Sequence, residues 1–134
     1  MAVPQKPKVY RDVIDELVHM CRAGQGQMGA RRAREGLWNR SATAERFADQ
    51  HEFNLLLARM PVEDREILAR MLVGEVVRGV FESLKALEQF GVSPFGDGYE
   101  GSPFHDFIGR LDGWEWPKEH ESEMNDEGPG NDRP

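Results

Sequence analysis

The chain of 134 residues has only one cysteine, Cys21, and no apolar run that approaches the length of a membrane span. A single cysteine excludes an internal disulfide bond and any zinc site that is built from cysteines. A membrane-spanning helix needs roughly 20 consecutive apolar residues, so we expect none. Residues 1–7 also lack the apolar segment of a secretory signal peptide. We therefore predict a cytoplasmic protein with a reduced, buried thiol, similar in size and composition to small bacterial proteins.

Motifs that mark catalytic or metal sites are missing as well. The chain contains no Gly-rich phosphate loop, no Ser-His-Asp order and no cysteine nucleophile motif. Glu16 and His19 have the Glu-x-x-His spacing of di-iron helix bundles, but those sites need two such motifs and the chain has one. A mononuclear site that uses His19, His51 and His105 would need three helices to converge. We predict no cofactor and no metal.

The net charge of −7 is unevenly distributed along the chain. Residues 22–46 carry six arginines and two glutamates, whereas residues 47–117 carry thirteen acidic and six basic residues. This balance argues against nucleic-acid binding through the whole surface. The arginines at positions 31, 32 and 34 can contact phosphates, but no aromatic platform or recognition helix accompanies them. Alternatively, an acidic segment of the same chain neutralises them.

No stretch alternates β-branched residues over the length of a strand, so the sequence predicts an all-α fold. The strongest pattern is a long helix over residues 62–90, whose apolar stripe is wide enough for a core helix. Pro61 suits the first turn of this helix, and Gly91 suits a left-handed cap at its end. The stripe consists of Leu68, Leu72, Val76, Val80 and Leu84.

Three further segments complete a predicted bundle of four to five helices. The first helix covers residues 8–23, with Val9, Val13, Leu17 and Met20 on one face and Ile14, Val18 and Cys21 beside them. Residues 28–40 are either a short basic helix or an ordered loop. A helix that ends near Arg59 follows, with Ser41 or Thr43 as its N-cap.

The last predicted elements follow the long helix. Residues 91–102 form a turn-rich loop, and Ser102-Pro103 opens a short helix that ends near Leu111. Residues 8–117 then form one domain, preceded by a flexible lead-in over residues 1–7. The segment 118–134 is predicted to be a disordered acidic tail.

The most unusual feature of the sequence is the block of residues 94–116, which combines glycines, aromatic residues and charged residues. Loops of this composition often line pockets, because glycines permit close backbone approach. Alternatively, the aromatic residues simply cap the end of the bundle. The candidate binding residues are Tyr99, Glu100, His105, Asp106, Arg110, Trp114 and Trp116.

Three hypotheses about function follow from these observations. The first is a regulatory module of the antitoxin or immunity type, whose acidic surface binds a basic protein. Trp114 and Trp116 would anchor that partner if they are exposed. The second is an enzyme or a ligand- or metal-binding protein with a pocket at residues 94–116. The third is a structural homodimer that pairs through the long helix.

The second hypothesis requires particular side chains to lie close together. Its pocket needs Glu100, His105 or Asp106 as an acid, a base or a ligand. One of these three must converge with Tyr99 or Arg110. Adjacent residues of a helix point about 100° apart, so the side chains of His105 and Asp106 do not converge on one ligand without help from other residues.

Overall fold

The computed structural model describes residues 6–118, and all of the regular secondary structure in that range is helical. Of the predicted lead-in over residues 1–7, residues 1–5 lie outside the described range, and of the predicted tail over residues 118–134, residues 119–134 lie outside it. The all-α prediction is confirmed. The elements are α1 (Lys8–Arg22), a 3-10 turn (Gln25–Gln27), α2 (Met28–Glu35), α3 (Ala48–Arg59), α4 (Val62–Gln89) and α5 (Pro103–Leu111).

The chain divides into two compact units. The terminal unit consists of the chain up to Val18 and from Phe81 onward, and the internal unit is the segment His19–Val80. Helices α1 and α4 each contribute residues to both units. None of the helices within residues 6–118 has both the length and the apolarity that a bilayer crossing requires.

Each unit has its own buried core. Tyr10, Ile14, Leu84 and Phe107 are almost completely buried in the terminal unit. The internal unit buries Ala30, Ala33, Leu57 and Ala69, and larger residues pack around this cluster: Trp38, Met60, Leu68, Leu72 and Val73. Because three of the four buried residues are alanines, this core holds little side-chain volume. The larger apolar residues therefore remain at its edge.

Helix α4 has the bounds that its sequence pattern predicts. It starts directly after Pro61 and runs for 28 residues. Gly91 follows with a φ of 64°, which is the left-handed conformation that glycine adopts without strain. The amide of Val92 donates to the carbonyl of Leu87 at 2.9 Å. This bond closes the helix end in the way that Schellman motifs do.

The buried face of α1 is centred on one flank of the predicted apolar side. Val9 was expected on the core face, but 54% of its surface is exposed. The buried residues are instead Tyr10, Ile14, Val18 and Cys21, which follow helical spacing from one position later. Tyr10 explains the difference, because its large ring and its buried hydrogen bond turn this face inward.

The predicted start of the third helix is wrong. Helix α3 begins at Ala48 after Phe47, and neither Ser41 nor Thr43 caps it. Thr43 instead accepts the amide hydrogen of Arg46 at its Oγ1 (3.0 Å) and donates its own amide to the carbonyl of Arg46 (2.8 Å). These bonds close a tight turn over residues 43–46, because a threonine side chain competes with helical hydrogen bonds for nearby amides.

The alternatives for residues 28–40 resolve into a helix followed by a loop. Helix α2 ends at Glu35, and Gly36 adopts the left-handed conformation with a φ of 79°. The Arg65 side chain lies against this glycine, with its Nη1 only 2.0 Å from the position that a Cβ would occupy. Leu37 and Trp38 then lie in the loop that follows.

Candidate functional site

Asp106 is the buried residue that connects the parts of the predicted site. Its carboxylate is fully buried, although it belongs to a short helix. It accepts three hydrogen bonds: from the hydroxyl of Tyr10 (2.5 Å), from the amide of Tyr99 (2.8 Å) and from the amide of Glu100 (3.0 Å). Such bonds offset the cost of burying a charge. Asp106 therefore fixes the loop before α5 to helix α1.

Two neighbouring residues complete this arrangement. Gly98 allows the loop to approach, because a Cβ at this position would lie 2.7 Å from Oδ2 of Asp106. Burial and the hydrogen bond to Asp106 raise the pKa of Tyr10. The phenol therefore stays protonated and keeps donating to the carboxylate.

A second polar contact centres on Asp15 of α1. Its two oxygens accept hydrogen bonds from Nε of Arg110 (2.8 Å) and from Nε1 of Trp116 (3.0 Å). Arg110 also donates to the carbonyl of Trp114 at 2.7 Å and lies over the Trp116 ring, 5.4 Å from its centroid. Arg110 and Trp116 thus bind residues of their own unit.

The aromatic residues of this block pack on one another. The ring of Tyr10 lies 5.5 Å from Phe95, 6.1 Å from Tyr99 and 6.0 Å from Trp116, measured between centroids. Trp114 and Trp116 are 5.4 Å apart, and both indoles are half-buried. The packing resembles the cap that the sequence offered as an alternative to a pocket.

Five of the seven predicted residues are linked by direct contacts: Tyr99, Asp106, Arg110, Trp114 and Trp116. Asp106 points inward, whereas Glu100 and His105 are exposed and the His105 ring lies against Phe104. Within residues 6–118, no three His, Cys, Asp or Glu side chains are placed to hold a metal ion. A polar cavity of about 310 Å³ does exist in the terminal unit. It is lined by Lys6, Pro7, Gly91, Ser93, Pro94, Gly96 and Asp97, so none of the seven lines it.

A different cavity lies in the internal unit, in a groove between α3 and α4. Its volume is about 280 Å³, and no polar atom contributes to its surface. We refer to it as the α3–α4 groove. It is lined by Trp38, Phe53, Leu56, Leu57, Leu68 and Leu72.

The sequence places these residues on facing helices. Phe53, Leu56 and Leu57 have the i, i+3, i+4 spacing of one face of α3, and Leu68 and Leu72 share a face of α4. The connection of Met60 and Pro61 is so short that the two helices must be neighbours. Leu57 is buried between them, and Leu56 remains 46% exposed.

Trp38 is held in the groove by a rigid loop. The side-chain oxygen of Asn54 accepts the amide hydrogens of Trp38 (2.6 Å) and Asn39 (3.0 Å). The Asn54 amide group donates back to the carbonyl of Asn39 at 2.7 Å. The Trp38 ring then meets Phe53 edge-on, with 6.0 Å between centroids, and Arg32 lies over it. Trp38 therefore forms a preorganised wall of the groove.

Exposed apolar residues concentrate in the part of the chain that contains α3 and the first half of α4. Of ten large apolar side chains that are exposed in residues 6–118, seven lie between positions 47 and 71. They are Phe47, Phe53, Leu55, Leu56, Val62, Ile67 and Met71. Large exposed apolar patches mark interaction sites on soluble proteins.

The groove was not predicted from the sequence. A signal was present in the sequence. Leu55, Leu56 and Leu57 are consecutive and therefore span about 200° of a helix. One core-facing stripe cannot bury all three, and only Leu57 is buried.

A family profile matches residues 4–118, which include every helix that the structure describes and the whole α3–α4 groove. Its description is a family of unknown function, DUF6547. The chain belongs to this family. Searches among curated proteins and solved structures found no match to this DUF6547 member.

Proposed function

We propose that this DUF6547 protein is a small regulatory module that binds another protein through the α3–α4 groove. One observation carries the proposal. Seven of ten exposed large apolar residues lie between positions 47 and 71, and two of them, Phe53 and Leu56, line a cavity whose surface has no polar atom. Leaving this much apolar surface in water is unfavourable, and a partner that covers it gains roughly 25 cal/mol for each Å².

The lining favours binding over catalysis. A catalytic site needs a nucleophile, an acid or a base close to the reacting atoms. The groove offers only aliphatic and aromatic side chains. It matches the recognition mode in which an amphipathic helix lays its apolar face into a hydrophobic groove.

The enzyme alternative at residues 94–116 has less support. Asp106 already accepts three hydrogen bonds within the protein, and Arg110 already binds Asp15 and the carbonyl of Trp114. Neither side chain is offered to a ligand. Trp114 and Trp116 pack on each other, so they are also poorer anchors than the exposed residues of the groove.

Two substitutions on α3 test the proposal with a matched control. Leu56 and Leu55 are neighbours with almost equal exposure, 46% and 48%, but only Leu56 lines the groove. The tagged protein and its Leu56→Glu and Leu55→Glu variants are each purified from the native host, and co-purifying proteins are quantified by mass spectrometry. Both variants should fold, which circular dichroism checks.

We expect a stoichiometric partner with the wild type and with Leu55→Glu, and at least a tenfold loss with Leu56→Glu. A charge in the groove removes the burial energy of a leucine, which is about 1.5 to 3 kcal/mol. A partner that both variants retain equally would overturn the groove as the docking surface. A bound small molecule without any protein would instead favour the enzyme alternative.

A further inference from the structure

We infer that the occupant of the α3–α4 groove is a basic amphipathic helix. This inference rests on the proposed function, and it adds the charge of the partner. The evidence is a set of acidic residues beside the apolar lining, which we call the acidic rim: Asp49, Glu52, Asp64 and Glu75.

The positions of the rim residues follow from helical geometry. On α3, Asp49 lies one turn before Phe53, and Glu52 lies one turn before Leu56. On α4, Asp64 lies one turn before Leu68, and Glu75 follows Leu72 by three residues. All four side chains are exposed. The groove therefore has carboxylates along both of its walls.

These carboxylates have no cationic partner within residues 6–118. Glu66 of α4 shows the contrasting case. It binds Arg34 through two hydrogen bonds of 2.7 and 3.2 Å, and this contact lowers the pKa of Glu66. The protein thus neutralises Glu66 internally but leaves the four rim carboxylates to solvent.

Basic residues near the groove are fewer. Arg59 follows Leu56 by three residues, Arg65 precedes Leu68 by three residues, and Arg32 lies over the Trp38 ring. The groove surroundings therefore keep a negative balance, which adds to the net charge of the chain. Lysines or arginines that flank the apolar face of a docking helix would meet opposite charges on both sides.

The same charges argue against a second copy of this chain as the occupant. Two copies that pair through this groove bring their acidic rims together. Like charges that face one another across an interface oppose association. The charge pattern therefore selects a basic partner over self-association.

Three designed helical peptides test the inference. Each carries leucine at positions i, i+3, i+4 and i+7, and the flanking positions are all Lys, all Glu or all Gln. Fluorescence anisotropy of the labelled peptides gives the dissociation constants at low and high salt. We expect the Lys peptide to bind at least about tenfold more tightly than the Glu peptide, with the Gln peptide between them. Added salt should reduce this difference.

Substitutions in the protein test whether the acidic rim causes the preference for the Lys peptide. Glu52→Lys with Glu75→Lys should abolish the preference for the Lys peptide. The matched control, Asp112→Lys with Glu115→Lys, changes the net charge equally at exposed positions of the terminal unit and should retain the preference. Leu56→Glu should weaken all three peptides.

The outcomes separate the two proposals. Equal binding of the Lys and Glu peptides, or a preference that survives in the rim variant, overturns the basic partner while the groove remains the docking surface. If no peptide binds, the proposed function fails as well. A dimer in sedimentation equilibrium that Leu56→Glu dissociates would identify a second copy as the occupant and overturn the inference.

Discussion

At the scale of single residues, Asp106 shows how a carboxylate in a suspected pocket can be purely structural. It is fully buried, and all of its neighbours donate to it. In Asp106→Asn, one oxygen becomes an amide group that faces donors. We expect the free energy of unfolding to fall by about 2 to 3 kcal/mol, because buried donors lose their acceptor.

Urea denaturation measures this change. Asp112→Asn is the control, since Asp112 is exposed at the end of the same helix and should change stability by less than about 0.5 kcal/mol. Equal effects of the two substitutions would contradict the structural role of Asp106.

Tyr10 makes stability depend on pH in the alkaline range. Its pKa is raised in the folded protein by burial and by the hydrogen bond to Asp106, whereas an unfolded tyrosine titrates near pH 10. The folded state therefore favours the protonated phenol. This contribution is complete below about pH 10, and above it stability falls by up to about 1.4 kcal/mol per pH unit.

Tyr10→Phe isolates this effect. The variant should be less stable at pH 7 by about 1 to 3 kcal/mol, because Asp106 loses one donor. Its stability should then fall less steeply above pH 10 than that of the wild type, as measured by urea denaturation at successive pH values. Parallel curves for the two proteins would show that Tyr10 does not cause the alkaline loss.

At the scale of elements, we expect alanine to change stability in opposite directions at two glycines. Gly36 caps α2 with a φ of 79° and contacts Arg65, so Gly36→Ala should lower the free energy of unfolding by about 1 kcal/mol or more. Gly74 lies inside α4 with open space around it. Gly74→Ala should therefore raise stability by up to about 1 kcal/mol. Thermal denaturation gives both values, and the same sign for both would contradict this account.

The surroundings of Gly74 also bear on why a glycine stands inside a long helix. A glycine within a long helix often marks the close approach of another helix or a kink. No atom outside the helix backbone lies within 4 Å of the position of its Cβ, so close approach does not explain it. Nothing in the described structure explains why the position is a glycine.

Helices that carry their own start and stop signals were predictable from the sequence. Pro61 and Gly91 bound α4, and α5 begins at Ser102-Pro103, as predicted. The Ser102 hydroxyl does not cap the helix, however, because it donates to Glu88 at 2.9 Å. The start of α3 was not predictable in this way, because Thr43 closes a turn with Arg46. The competing bond depends on where the backbone bends, which periodicity does not encode.

At the scale of the whole molecule, the candidate site depends on contacts that composition cannot reveal. The segment 94–116 was interpreted as a candidate pocket because it combines aromatic side chains with acidic and basic ones. Their partners, Tyr10 and Asp15, lie about 100 positions earlier and bind them internally. The α3–α4 groove was not predicted, because a leucine on a helix gives no sign of whether another element covers it. In both places burial is set by tertiary neighbours, which the local sequence does not reveal.

The terminal unit is assembled from segments at opposite ends of the described chain, and this has a consequence for synthesis on the ribosome. The bonds from Tyr10 to Asp106 and from Asp15 to Trp116 join residues 96 and 101 positions apart, whereas Arg34 and Glu66 are only 32 apart. At about 5 to 20 residues per second, roughly 5 to 20 seconds separate the synthesis of Tyr10 from that of Asp106. During that time the apolar face of α1 has no partner from α5. We therefore expect the nascent chain to expose this face to chaperones, and pulse-labelled hydrogen exchange during refolding should show protection in the internal unit before it appears at Tyr10 and Phe107.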